Sequence, residues 1–301
     1  MLMDSTFVVL TNFYPPAQRA LQYTDAMAGV LGSQLVLLHV NRGSFYDPSY
    51  ALAGNDWRRD ELRNAVETGT LLSQMAEQLR TPATVELTTD VLPGVARDIA
   101  HRYPAPLFVL GLPAAQRAAP AQLSTAAMEL LRATNLPALL VPVDTPELAP
   151  PRRVLIAADA EDFSLTEPAA PVSNLLQQLG AELVVAHVTD TEDDVRCTKA
   201  LQAVQRSGLA AGVATIGLRG YQNPDAAAGL LEAIQDTGAD LVVVLARTRS
   251  YFGELFHRSV TAQVIAGSPV PVLAVPVTEP VAAARKTSRL TADDLLLWPK
   301  T

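Results

Sequence analysis

The chain is poor in the residues that most enzymes and secreted proteins use for covalent and metal chemistry. Among 301 residues there are only four histidines, and Cys197 is the sole cysteine. An intrachain disulfide and a cysteine-based zinc site are therefore excluded. No apolar run reaches the roughly 18 residues of a membrane span, and the N-terminal sequence lacks the cationic start of a signal peptide. We expect a soluble cytoplasmic protein without a membrane partner.

Positive charge is also scarce. Lysine and arginine number 23 against 31 acidic residues, which gives a net charge of −8 at pH 7. A net negative charge disfavours general binding to nucleic acids or to anionic membranes. Hydrophobic residues make up 49% of the chain, enough for the cores of about two ordinary domains.

The most informative feature that is present is an internal repeat. The block at 32–40, GSQLVLLHV, recurs at 180–188 as GAELVVAHV, and the block at 135–143, NLPALLVPV, recurs at 269–277 as PVPVLAVPV. The first copy holds about 14 more residues between these blocks than the second, and we place them at 41–64, which is rich in turn formers. The proline-rich stretch at 144–151 predicts a linker. These observations predict domains at 1–143 and 152–277 and a C-terminal tail at 278–301.

Each copy alternates apolar runs with helical patterns. The apolar runs have no polar face, which is typical of parallel strands covered by helices on both sides. Right-handed crossovers then predict a doubly wound sheet. In such sheets ligands bind beyond the carboxyl ends of the strands, where the strand order reverses, and this directs attention to the segments after strands one and four of each copy.

Three segments resemble the universal stress protein family in its tandem two-domain form: TFVVLTNF, LGSQLVLLHV and LPALLVPV, which lie in the first copy. The resemblance covers 5–143 and 152–277. It implies an α/β fold with two tandem doubly wound five-stranded parallel sheets, each with strand order 3-2-1-4-5. It also implies that the two fifth strands pair, so that the chain is a pseudo-dimer of its own halves with pseudo-twofold symmetry.

Nucleotide-binding members of this family carry G-x2-G-x9-G-[ST] after strand four. Glycines let backbone N–H groups approach phosphates, and the following helix adds its positive end. By this resemblance the motif falls on one glycine in the first copy and on none in the second. Its positions in the first copy are Gly111, Ala114, Ser124 and Thr125, and in the second Leu245, Thr248, Arg258 and Ser259.

The family places an adenine-binding Asp just after strand one, and Asp159 matches it in the second copy, whereas the first copy has Asn12 there instead. Each copy therefore lacks part of the site. We predict that bulky side chains occupy the space that phosphates need and that the protein is not a competent ATP binder. Binding of ATP with slow hydrolysis is the alternative, through Asp159 with Ser259 or through Gly111 with Ser124 and Thr125.

A second alternative comes from the cations of the loop after strand four in the second copy. Arg247, Arg249 and Arg258 lie near a predicted helix N-terminus, where positive charges are unfavourable unless an anion is close. They suggest a receptor for a small anion or metabolite, which Thr248 could also contact. A solvated loop with salt bridges to nearby acids explains the same residues. Ser259 is equally an ordinary helix N-cap.

No paired acid and base, activated nucleophile or metal cluster is recognisable, so no catalytic or metal-binding residue is assigned. The equivalent residues His39 and His187 are predicted to be structural. By resemblance, we expect a stress-response binding or regulatory module rather than an enzyme. The tail ends in LTADDLLLWPKT, whose apolar cluster suggests docking onto a protein partner, onto its own domain or onto the other subunit of a homodimer.

Overall fold

The computed structural model describes residues 5–40, 57–88, 92–113, 130, 134–146, 148–247 and 259–280. The stretch 41–56 and the tail residues 281–301, to which the sequence assigns an insertion and a docking segment, lie outside these ranges. None of the described helices has the length and apolarity of a membrane span.

The first half alternates strands and helices as its apolar runs predict. Gly32 ends the first helix in the left-handed conformation (φ 61°), which suits a residue without a Cβ. The described elements of this half are β1 Thr6–Leu10, α1 Pro15–Leu31, β2 Gln34–Val40, α2 Trp57–Glu77, β3 Ala83–Thr88, α3 Leu92–Arg102, β4 Pro106–Leu112 and β5 Ala138–Pro142.

The second half repeats this order, with one additional short strand and a shorter first helix. Aspartate side chains cap two of its helices, at Asp193 and Asp225. Its elements are β6 Arg153–Ala157, β7 Ser164–Leu165, a 3-10 turn Glu167–Ala169, α4 Val172–Leu179, β8 Glu182–Thr189, α5 Asp194–Ser207, β9 Ile216–Gln222, α6 Ala226–Thr237, β10 Leu241–Arg247, α7 Val260–Gly267 and β11 Val272–Thr278.

All of these strands form one sheet in the order β3-β2-β1-β4-β5-β11-β10-β6-β8-β9, with β7 paired to β11. Within each half the strands of this path pair in parallel, in the order 3-2-1-4-5. The fifth strands β5 and β11 pair antiparallel, with Leu139 opposite Leu273. We call this junction the seam. The predicted fold and the pseudo-twofold pairing of the halves are confirmed.

The strands are apolar on both faces because helices cover both sides of the sheet. Alternate residues face opposite sides, so Val8 and Val242 belong to one apolar layer while Phe7 and Val243 belong to the other. Each layer contains residues from both halves. The core therefore runs across the seam without interruption.

The first half is longer between its second and third strands. In the register of the sheet, Leu35 pairs with Ala83, whereas Leu183 pairs with Ile216, so this interval is about 15 residues longer in the first half. This agrees with the repeat analysis. The helix α2 begins already at Trp57, inside the stretch 41–64 that the sequence suggested as the extra segment.

The linker lies against α1. The Arg19 guanidinium donates to the carbonyl oxygens of Thr145 and Pro146, and Thr145 is only 3% exposed. The proline-rich composition of this linker favours an extended, solvated chain, but Thr145 is packed on the first half.

Removal of a core side chain at the seam tests the continuity of the core. Leu273, 1% exposed, stands opposite Leu139, so Leu273→Ala should lower the free energy of unfolding by about 2–5 kcal/mol. Leu71→Ala, at a side chain 48% exposed, should change it by less than about 0.5 kcal/mol. Urea unfolding followed by circular dichroism measures both, and similar small losses would argue against a packed seam.

Candidate functional site

The switch point of the second half lies between the carboxyl ends of β6 and β10, where the strand order reverses. These strands are neighbours, with Ala157 opposite Val244. Asp159 follows β6 by two residues, and Arg247 is the last residue of β10. The strand order thus brings an acid and a base from distant parts of the chain to one point.

At this point Arg247 and Asp159 form a two-pronged ion pair. Arg247 Nε donates to Asp159 Oδ2 at 3.0 Å, and Arg247 Nη2 donates to Oδ1 at 2.5 Å. A guanidinium fork that meets both oxygens of a carboxylate gives the strongest and most directional of the ordinary ion pairs.

The rest of the guanidinium is also directed at acceptors of the same chain. Nη2 donates to the carbonyl oxygen of Glu161 at 3.1 Å and Nη1 to that of Asp162 at 3.4 Å, while the Glu161 carboxylate lies 3.9 Å from Nη1. The Arg247 side chain is 12% exposed and that of Asp159 is 49% exposed. The guanidinium therefore lies in the crevice with nearly all of its N–H groups engaged.

The two residues were predicted to serve different ligands. The sequence placed Asp159 as a base-binding acid and Arg247 as an anion-binding cation, and left salt bridges to nearby acids as the other interpretation. For Arg247 the structure shows the salt bridge. Leu245, the second-copy counterpart of Gly111, is partly buried against one apolar layer.

Four of the predicted site residues, Ser124, Thr125, Thr248 and Arg258, lie outside the described residues, as does Arg249. Ser259 is described and caps α7, where its hydroxyl oxygen accepts from the amide of Ala262 at 3.1 Å. As an N-cap its oxygen satisfies a helix amide that would otherwise have no partner within the helix.

The first half repeats part of this arrangement without the ion pair. Asn12 Oδ1 accepts from the amide of Tyr14 at 3.0 Å, as Asp159 Oδ1 accepts from the amide of Glu161 at 3.2 Å. Next to Asn12, the Phe13 ring lies 5.8 Å from the ring of His39, tilted by 41°. Phe13 is 41% exposed.

The histidines His39 and His187 hold these turns onto the neighbouring strands. Their Nδ1 atoms lie 2.9 Å from the carbonyl oxygens of Thr11 and Ala158, and a carbonyl only accepts, so each Nδ1 carries a hydrogen. These contacts agree with the predicted structural role. His187 is 2% exposed, and its Nε2 has no hydrogen-bond partner among the described residues.

Gly111 is required by the packing of α1. A Cβ at this position would lie 2.7 Å from the amide nitrogen of Ala17 and would overlap the carbonyl group of Pro16. The first turn of α1 therefore rests directly on β4 at its carboxyl end. A glycine at this place has a packing reason that is independent of any phosphate.

Cysteine chemistry and metal binding find little support among the described residues. Cys197 is 9% exposed, and burial, followed by the charges of Asp194 and Asp193, raises the pKa of its thiol. The side chain therefore resists formation of a thiolate. Within the described ranges, no group of three His, Cys, Asp or Glu side chains is placed to hold a metal ion.

Comparison with known proteins supports the fold. Residues 150–276 match the model of the universal stress protein family. Among solved structures the chain is similar to a universal stress protein from Archaeoglobus fulgidus DSM 4304, with 16% identity, a TM-score of 0.61, and coverage of 89% of this chain and 95% of that chain. It is also similar to a functionally unknown protein from Pseudomonas aeruginosa PAO1, with 16% identity, a TM-score of 0.51, and coverage of 91% and 92%.

A search of curated proteins gives no significant match. At 16% identity the likeness to solved structures shows the fold alone. The resemblance found in the sequence is confirmed by the family match in the second half, and the first half, which lies outside the matched residues, has the same strand order.

The packing role of Gly111 can be tested by adding a single methyl group. Because its Cβ would overlap the Pro16 carbonyl, Gly111→Ala should lower the free energy of unfolding by about 1–3 kcal/mol or more. Gly69→Ala, within α2 where nothing lies within 4 Å, should raise it by about 0.5–1 kcal/mol. Thermal and urea unfolding compare the two, and a harmless Gly111→Ala would contradict the packing role.

Proposed function

We propose that the protein is a stress-response binding and regulatory module of the universal stress protein type. It acts by association rather than by catalysis, and neither half holds ATP. The family match of the second half and the fold of both halves support the class. The ion pair between Arg247 and Asp159 is the observation that carries the rest of the proposal.

In the second half the ion pair uses the groups that a nucleotide would need. Both carboxylate oxygens of Asp159 accept from Arg247, so a bound adenine would have to displace a bidentate guanidinium. The guanidinium also fills part of the crevice, since its side chain is only 12% exposed. Leu245 adds an apolar side chain where the family motif has a glycine.

In the first half the remaining motif glycine is accounted for by packing. The Pro16 carbonyl of α1 packs against Gly111 where a Cβ would lie, and this contact explains why the residue is a glycine without a phosphate loop. Asn12 is neutral and uses its side-chain oxygen to accept from Tyr14. An amide at this position offers no negative charge to a ligand.

The proposal that the protein does not act on a small ligand rests on polar side chains that already make contacts within the chain. Asp159, His39, His187 and Ser259 each hold a turn, a strand end or a helix start. A small-anion receptor built on Arg247 requires that the anion displace Asp159, and weak ATP hydrolysis requires bound ATP. Both alternatives therefore depend on ligand binding, which calorimetry measures.

Isothermal titration of the full chain with ATP and Mg²⁺ tests the proposal. We expect no binding tighter than a Kd of about 1 mM, because the nucleotide must break the Arg247–Asp159 pair without glycines to cradle its phosphates. Inorganic phosphate, titrated in the same way, should also give no binding. Micromolar affinity for ATP would contradict the proposal.

Matched variants would show where any binding occurs. If ATP occupied the second half through Asp159, Asp159→Asn would weaken it at least about tenfold, since a charged acceptor is lost. Arg206→Gln, which removes only the exposed Arg206–Asp162 pair, is the control. Loss of binding in Asn12→Ala would place the nucleotide in the first half.

The proposed stress role predicts a conditional phenotype. A strain of the source organism that lacks the gene should grow normally in rich medium and survive nutrient or oxidative stress less well than the parent. Expression of the wild-type chain should restore survival, because a regulatory module is needed only under stress. Unchanged survival under each stress would count against the role.

A further inference from the structure

The two halves differ most in how the first strand is connected to the first helix. In the first half β1 ends at Leu10 and the 17-residue helix α1 begins at Pro15. In the second half β6 ends at Ala157, and the 8-residue helix α4 begins only at Val172. About two turns of helix are thus replaced by a longer connection, and we call its residues 159–166 the strap.

The far end of the strap is attached to the seam. Its residues Ser164 and Leu165 form β7, which pairs antiparallel with Thr278 and Val277 of β11. The amide of Thr166 donates to the carbonyl oxygen of Pro276 at 3.3 Å. The Thr166 hydroxyl donates to the carbonyl oxygen of Asn135, in the first half, at 3.4 Å. The strap therefore touches both halves where they join.

The near end of the strap is attached to the switch point. Arg247 contacts the Asp159 side chain and the carbonyl oxygens of Glu161 and Asp162, so one guanidinium binds three positions at the start of the strap. Arg206 of α5 also pairs with Asp162 at 2.6 Å, but both of these side chains are more than half exposed. The contact of Arg247 is the better shielded of the two.

The two attachments close into a ring on the sheet. Val277 of β11 is the register partner of Arg247 on one side and of Leu165 on the other. The backbone of β11 thus links the residue that holds the near end of the strap to the residue that holds its far end. Within this ring, the contacts of the Arg247 guanidinium with residues 159–162 are made by a side chain rather than by strand pairing.

We propose that Arg247 is a latch that keeps the strap on β11 and so couples the switch point of the second half to the seam. Release of the guanidinium from Asp159 removes the ion pair at the start of the strap. The two-residue strand β7 is then left with its pairing to β11, the Thr166 hydrogen bonds and the buried Phe163 side chain, and so short a strand is weakly held. Because coupling between two sites is reciprocal, anything that takes the guanidinium away from Asp159 also loosens the contact with Asn135. The inference does not depend on whether ATP binds.

Hydrogen exchange of the full chain, read by mass spectrometry with fragments that resolve the strap, tests the latch. In Arg247→Gln the amide of Thr166 should exchange about tenfold faster than in the wild type, as expected when a shielded bidentate ion pair no longer opposes local opening. Arg206→Gln, which removes the exposed pair on the same strap, should change this rate less than about twofold. Amides of β8 should exchange as in the wild type in both variants.

A double-mutant cycle separates the latch from general destabilisation. Asp159→Asn should speed exchange at Thr166 as Arg247→Gln does, and the double variant should add little, because the partners act as one unit. Faster exchange confined to residues 159–162 would overturn the proposal, as would equal effects of Arg247→Gln and Arg206→Gln. Additive effects of the two latch substitutions would overturn it as well.

Discussion

The antiparallel pairing of β5 with β11 determines what the two halves can do together. Because each half is parallel within itself, the antiparallel junction makes the strands of the two halves run in opposite directions. The carboxyl ends of β1 and β4 therefore lie on one side of the molecule and those of β6 and β10 on the opposite side. The two switch points are separated in the same way, and a small ligand cannot bridge them. Each half therefore has to complete its own site from its own residues.

The two halves share the turn after the first strand. Asn12 and Asp159 both accept from the amide two residues later, and a histidine of the next strand holds each turn by the same carbonyl contact. What differs is the space above β4 and β10. In the first half α1 rests on Gly111, whereas in the second half the shorter helix leaves room that Arg247 and the strap occupy.

The repeat and the apolar periodicity are sufficient to predict the strands and a doubly wound parallel sheet, because these depend on patterns many residues long. The order of the strands and the pairing of the halves are predicted from the family resemblance. The Arg247–Asp159 contact was within reach of the same reasoning, since strands one and four are neighbours in that order. The contact was not predicted because the phosphate motif assigns Arg247 to a loop, whereas β10 extends to that residue. The two-residue strand β7 and the contact of Gly111 with Pro16 depend on tertiary packing and have no periodic signal.

Arg247 belongs to the same chain as Asp159, and this explains how a single ion pair can close the crevice and still act as a latch. A guanidinium fixed at the end of a strand meets Asp159 at a high effective concentration, so a dissolved ligand for that carboxylate competes at a disadvantage. The carboxylate is nevertheless 49% exposed, and water can solvate it when the guanidinium leaves. The cost of opening is then closer to that of a partly exposed ion pair than to that of a buried one, where a lone charge would be stranded. An ion pair that forms readily and opens at a modest cost in free energy has the property that a regulated contact requires.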